Sequence, residues 1–203
     1  MRPSLRTALA VTAVASVALA GGAVAAPAKA APVCNLITDP AGDTTGPSTA
    51  LDIVSGDVAS DGKTFTAVIR LAALAETDLT SPTGVAWGMR VTSPKSELPY
   101  YLLATKFQGA AVEFTYGQVD GTSLVEAGVG TGVIDVAKKE VRIHAPAKGL
   151  GLKPGTTVSE LTAQGRRAIG NASAALYTNA DASDPATAKT YKTGAASCVK
   201  PGA

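Results

Sequence analysis

The sequence predicts an all-β fold, a single antiparallel β-sandwich of the immunoglobulin or jelly-roll kind whose termini are tied by one disulfide. Three observations carry that expectation. Several short runs alternate apolar and polar residues with a period of two. Clusters of Gly, Asp, Pro and Lys punctuate those runs at short intervals, as hairpin turns do. The chain's two cysteines, Cys34 and Cys198, stand near opposite ends behind an N-terminal export signal, and an exported chain most simply joins such a pair.

The elements follow in order. The first strand is expected through Leu51, Ile53 and Val58, with Gly56 marking a bulge or bend. Ser60-Asp61-Gly62-Lys63 then turns into a strand where Phe65, Ala67, Ile69 and Leu71 share one face. Val85, Trp87, Met89 and Val91 share the core face of the next, and residues 94–97 connect it onward. Residues 99–107 and 110–116 form a second hairpin about Gln108-Gly109. After Gly128, Gly130 and Gly132, residues 133–136 turn at Ala137-Lys138-Lys139 and return through Val141 and Ile143 as a third. Residues 146–155 hold too many glycines for a stable helix, leaving room for one helical turn. Residues 158–169 and 174–177 read as closing strands, for a total of eight to ten. The tail from Asn179 is rich in small and polar residues. Cys198 nevertheless requires it to run back along the body, with Tyr191 as the ring that pins it.

The N-terminus excludes several function classes. Arg2 and Arg6 precede an uncharged apolar run over residues 8–20, too short to favour a membrane span, and Ala28-Lys29-Ala30 fits a signal-peptidase site. Residues 1–30 are therefore read as a signal peptide, residues 31–50 as an N-terminal loop and 51–203 as the body of one domain. A lipid-anchored Cys34 is disfavoured, because Ala31, Pro32 and Val33 precede it and the apolar run ends well upstream. Cleavage removes three of the eighteen basic residues, leaving fifteen against sixteen acidic ones. A near-neutral chain with isolated basic pairs, Lys138-Lys139 and Arg166-Arg167, has no stripe to follow a phosphate backbone, and these pairs read as solvated turn or strand residues. No second apolar span follows, so the expected product is secreted, without membrane insertion.

Catalytic signatures are absent from the side-chain inventory. His144 is the single histidine, expected as an exposed strand residue. There is no Gly-x-Ser-x-Gly elbow, and oxidised cysteines leave no thiol nucleophile. Glu113 and Glu126 could serve a carboxylate-dependent hydrolase only at the right separation, and both read more simply as solvent-facing. The expected protein is not an enzyme. Asn171-Ala172-Ser173 matches a glycosylation sequon, read as a chance match behind a bacterial-style signal.

The most site-like stretch is Asp39-Pro40-Ala41-Gly42-Asp43-Thr44-Thr45-Gly46, followed by Asp52. Two carboxylates, two hydroxyls and turn-forming glycines suit a hard cation that takes six to eight oxygens. The EF-hand spacing is absent, and the same residues also read as a plain turn. The order Asp39-Pro40-x-Gly42-Asp43, Leu51-Asp52-Ile53, Ser60-Asp61-Gly62-Lys63, with Leu161-Thr162-Ala163, Asp184-Pro185-Ala186 and Tyr191-x-x-Gly194 downstream, resembles secreted β-sandwich domains. These are the domains related to family-nine carbohydrate-binding modules and DOMON domains. The resemblance implies a structural calcium held by Asp39, Asp43 and Asp52. Sugar-binding members place aromatic rings in a cleft, whereas Trp87 here sits in a core-like pattern. The remaining readings are an extracellular binding module for a glycan or envelope protein, using a sheet face with Tyr100, Tyr101 or Tyr116, and a structural envelope protein without a pocket.

Overall fold

The computed structural model describes residues 31–46, 48–80, 84–107, 109–169 and 176–202. Residues 1–30, read above as a signal peptide, Gln108 and the Asn171 sequon lie outside them. The regular elements are strands β1 (Ile37–Thr38), β2 (Ile53–Ser60), β3 (Thr64–Leu71), β4 (Gly84–Thr92), β5 (Tyr100–Lys106) and β6 (Val112–Asp120). They continue with β7 (Ser123–Val129), β8 (Thr131–Asp135), β9 (Glu140–Pro146), β10 (Thr157–Ile169), β11 (Leu176–Ala182) and β12 (Tyr191–Lys192), joined by three short 3-10 turns. Among the described residues there is no α-helix.

Two antiparallel sheets pack face to face. One runs β1-β2-β3-β9-β8 and the other β11-β10-β4-β5-β6-β7, with β12 added alongside the start of β10. Phe65, Ala67 and Ile69 of β3 and Val141 and Ile143 of β9 meet Trp87 and Met89 of β4, Leu102 of β5 and Leu161 of β10 in one buried cluster. The period-two pattern arises because alternate residues of each strand enter this layer and are removed from water. Trp87 is fully buried and donates its indole Nε1–H to the Ala50 carbonyl at 2.8 Å, so its polar edge keeps a partner.

The β2–β3 hairpin turns where the sequence places it. Asp61 Oδ1 accepts the backbone N–H groups of Lys63 and Thr64 at 2.8 and 2.7 Å, and Gly62 takes a positive φ of 86°. The irregularity expected at Gly56 falls earlier, between Ile53 and Ser55 in the β2–β3 register, where the carbonyl of Val54 is taken by Asp39 N–H. Gly56 is regularly paired and serves packing instead: an added Cβ would lie 3.1 Å from Met89 Cε. Leu51 lies in a 3-10 turn (Thr49–Leu51) rather than in the strand. The helical turn allowed after Pro146 forms as the 3-10 segment Ala147–Leu150.

The twelve strands among the described residues exceed the eight to ten expected, and β7 is the longest of those not anticipated. It is an edge strand whose residues are mostly exposed, so no buried face imposed alternation on its sequence. The chain then changes sheets across the single residue Gly130: β7 pairs with β6, and Thr131 already pairs with His144 of β9. A Cβ at Gly130 would lie 2.5 Å from the His144 carbonyl oxygen, so only glycine fits this crossing. β11 spans Leu176–Ala182, four residues into what reads as tail.

The tail returns as Cys198 requires. Cys34 and Cys198 are joined, with their Cα atoms 5.3 Å apart, and Val33 bridges Ser197. Tyr191 is 2% exposed, and its hydroxyl accepts from Ser60 N–H and donates to the Ala195 carbonyl, both at 3.0 Å. Val199 packs on Ala59 and Val68, covering part of the outer face of the first sheet. Beside it, Arg70 bridges Asp57 at 2.8 Å and Glu140 at 3.1 Å, and Glu140 also holds Arg142.

Candidate metal centre

The loop that follows β1 is shaped by its own short side chains. Gly42 adopts φ 90°, and its N–H is accepted by Asp52 Oδ2 at 2.8 Å, which folds the loop back over the start of β2. Thr45 binds the Ala180 carbonyl through both its N–H, at 2.7 Å, and its hydroxyl, at 2.9 Å, tying the loop to β11. Arg167 adds a hydrogen bond from Nη2 to the Thr45 carbonyl at 2.6 Å.

This tethering assembles carboxylates from distant parts of the chain. Asp39, Asp43 and Asp181 each offer an oxygen within 4.8 Å of the others. Asp39 and Asp43 are two of the three residues singled out from the sequence. Asp52, the third, stands beside them and contributes to the charge at Asp39. Asp181 was not anticipated, because its neighbourhood reads as polar tail and only the pairing of β10 with β11 carries it to the loop.

The electrostatics are those of an uncompensated acidic site. Burial pushes the Asp39 carboxyl up from 3.8 to about 6, and the charges of Asp181, Asp43, Asp52 and Asp184 push in the same direction. Burial also raises Asp181, against the opposing hydrogen bond its Oδ2 accepts from Ile53 N–H at 2.7 Å. The ion pairs of the described residues involve none of these carboxylates. Asp52 is only 3% exposed, yet its Oδ1 has no hydrogen-bond partner, and neither has the buried Oδ2 of Asp39. Buried carboxylate oxygens left unpaired are costly, and an oxygen-seeking cation is the partner whose chemistry fits them.

The donor set also discriminates among metals. The clustered donor atoms are carboxylate oxygens, with neither imidazole nor thiolate among them, which matches calcium or magnesium over zinc or copper.

The other residues weighed from the sequence are placed elsewhere. His144 is half-buried rather than exposed, on the outer face of the first sheet, with Nδ1 2.9 Å from Thr66 Oγ1; burial and the Arg142 charge lower its pKa. Glu113 and Glu126 are exposed. Tyr100 and Tyr116 pack against the central core, whereas Tyr101 is buried on the opposite face of the second sheet with Ala86 and Leu103. Arg166 is not a plainly solvated residue: its Nε is buried and lacks a partner. No helix among the described residues is long and apolar enough to cross a membrane. No protein-family model matches this chain, and no curated protein is significantly similar to it.

Proposed function

We propose that this chain is a secreted, non-catalytic β-sandwich that holds one structural calcium ion through Asp39, Asp43, Asp52 and Asp181 and serves as an extracellular binding module for a glycan or envelope partner. The observation that supports the metal most directly is the pair of buried, unpartnered carboxylate oxygens on Asp39 and Asp52 beside a three-carboxylate cluster. Calcium is favoured over magnesium because an irregular loop with several carboxylates accommodates a larger, less geometrically demanding coordination shell. The disulfide suits an oxidising compartment and supports export.

The ion's role in this reading is to close the first sheet against the second. Its ligands come from the loop after β1, the start of β2 and the end of β11, so binding would clamp elements at both ends of the chain. Calorimetric titration of metal-stripped protein with calcium, with melting in calcium or chelator at matched ionic strength, tests it. A saturable isotherm and a raised midpoint are expected; an unchanged midpoint counts against the ion. A glycan array tests the module reading, and silence there favours a structural envelope protein.

A further inference from the structure

The outer face of the second sheet holds an open groove of about 710 Å³ between β11 and the β6–β7 hairpin. Next to it on the same face lies a small recess lined by Gly88 of β4 and Tyr101 and Leu103 of β5, which shares Arg90 and Arg166 with the groove. Gly117 of β6 admits the Val125 backbone and the Tyr101 ring, since a Cβ there would collide with the Val125 carbonyl oxygen and come 2.9 Å from Tyr101 Cε1. The groove's walls are Val119 and Leu124 on one side and Tyr177 on the other.

Two guanidinium groups project into this groove from adjacent strands. The guanidinium of Arg90 on β4 is exposed, with neither ion pair nor hydrogen bond to any described residue, and that of Arg166 on β10 is held by Gln164 Oε1 alone. Neither guanidinium takes part in the ion pairs of the described residues. Glu160 shares an adjoining recess with Arg90 and accepts the Thr92 hydroxyl at 2.9 Å, and Glu126 is exposed near Tyr101. Burial chiefly, with Arg90 adding and Tyr177 opposing, lowers the Arg166 pKa. An unpaired, half-buried guanidinium beside a second one is an expensive arrangement that an anion would relieve.

We propose that this groove binds an acidic saccharide, with Arg90 and Arg166 receiving its carboxylates and Tyr177, Val119 and Leu124 supplying apolar surface to the sugar rings. The inference rests on the module reading above and names the face and the ligand class. Planar guanidinium forks match carboxylate geometry, and the amides of Gln164 and Asn179 and the Ser123 hydroxyl can meet sugar hydroxyls. An extended peptide would instead take an unpaired strand edge, and this groove lies across a sheet face.

The test is calorimetric titration with a galacturonic acid hexamer, without added calcium, against the same hexamer fully methyl-esterified. Saturable binding of the acid form is expected, with the ester weaker by roughly ten- to a hundredfold. Arg90→Gln and Arg166→Gln should each weaken the acid form by about tenfold. Arg90 is exposed, so its variant remains informative even where Arg166→Gln fails to fold. Equal binding of acid and ester, or binding that ignores both arginine variants, overturns the acidic-ligand inference and leaves the module reading standing. Displacement of the hexamer by inorganic phosphate at matched ionic strength also overturns it, reassigning the site to phosphate. No binding of either hexamer overturns it too, and only a silent glycan array would then remove the module reading.

Discussion

Replacing Asp39 with asparagine should change stability with opposite sign in the absence and presence of calcium. In the metal-free protein the folded state holds this carboxyl at about 6 against 3.8 when unfolded, because of burial and four neighbouring acids. A group whose folded pKa is raised binds its proton more tightly when folded, so its favourable contribution is complete below about pH 3.8. That contribution is lost as pH climbs to about 6. The full difference corresponds to about 3 kcal/mol, and solvent screening at this partly exposed side chain reduces it to about 1–2 kcal/mol. A neutral, near-isosteric amide removes that penalty. In chelator at pH 7.5, Asp39→Asn should therefore melt higher than the parent by roughly 3–6 °C for a domain of this size. The two proteins should converge near pH 4, where the parent's own carboxyl is protonated. Saturating calcium should reverse the order, since an ion at a thousandfold its dissociation constant stabilises the parent by about 4 kcal/mol and the variant has lost one ligand. Scanning calorimetry across pH 4–8, with calcium and with chelator, reads all three arms. A variant less stable than the parent in chelator at pH 7.5, or an order that calcium does not reverse, would refute the account of this cluster.

Three further outcomes are expected. Replacing Cys34 and Cys198 together with serine frees a loop of 164 residues, and the urea midpoint should fall by the equivalent of up to about 5 kcal/mol; an unchanged midpoint would show that the bridge adds nothing. Tyr191→Phe removes the hydroxyl that links Ser60 to Ala195 and should cost about 1–2 kcal/mol, with faster hydrogen exchange at Ser60 than in the parent. Trp87→Phe leaves the Ala50 carbonyl without its donor and opens a gap in the core, costing roughly 2–3 kcal/mol in denaturant unfolding. As the sole tryptophan, Trp87 should also report unfolding through a red shift of its emission.

The legible parts of the fold are those where burial acts residue by residue. Phe65, Ala67, Ile69 and Leu71, and likewise Val85, Trp87, Met89 and Val91, all enter the core, and the alternation that foretells this is a direct record of which side of each strand leaves water. The same logic explains β7, which buries too little to leave a periodic trace, and β11, whose later residues look like tail because only Ala180 and Asp181 among them are buried.

At the candidate metal loop, Asp39, Asp43 and Asp52 were legible from composition and turn chemistry, since they lie within one short stretch. Asp181 was not, because nothing local distinguishes it from the neighbouring tail aspartates. The arginine groove was illegible for a related reason. Arg90 and Arg166 each occupy an ordinary outward strand position, and each alone would be read as a solvated side chain.

The sequence by itself determined the strand periodicity, the principal turns and the pairing of its two cysteines, because each depends on local burial, on backbone preferences or on there being only one possible partner. The tertiary structure alone decided that Asp181 joins the acidic loop and that two arginines share one groove. Both convergences depend on which strands become neighbours: β10 lies between β4 and β11. That order is set by the packing of two whole sheets, a property that no short window of residues carries.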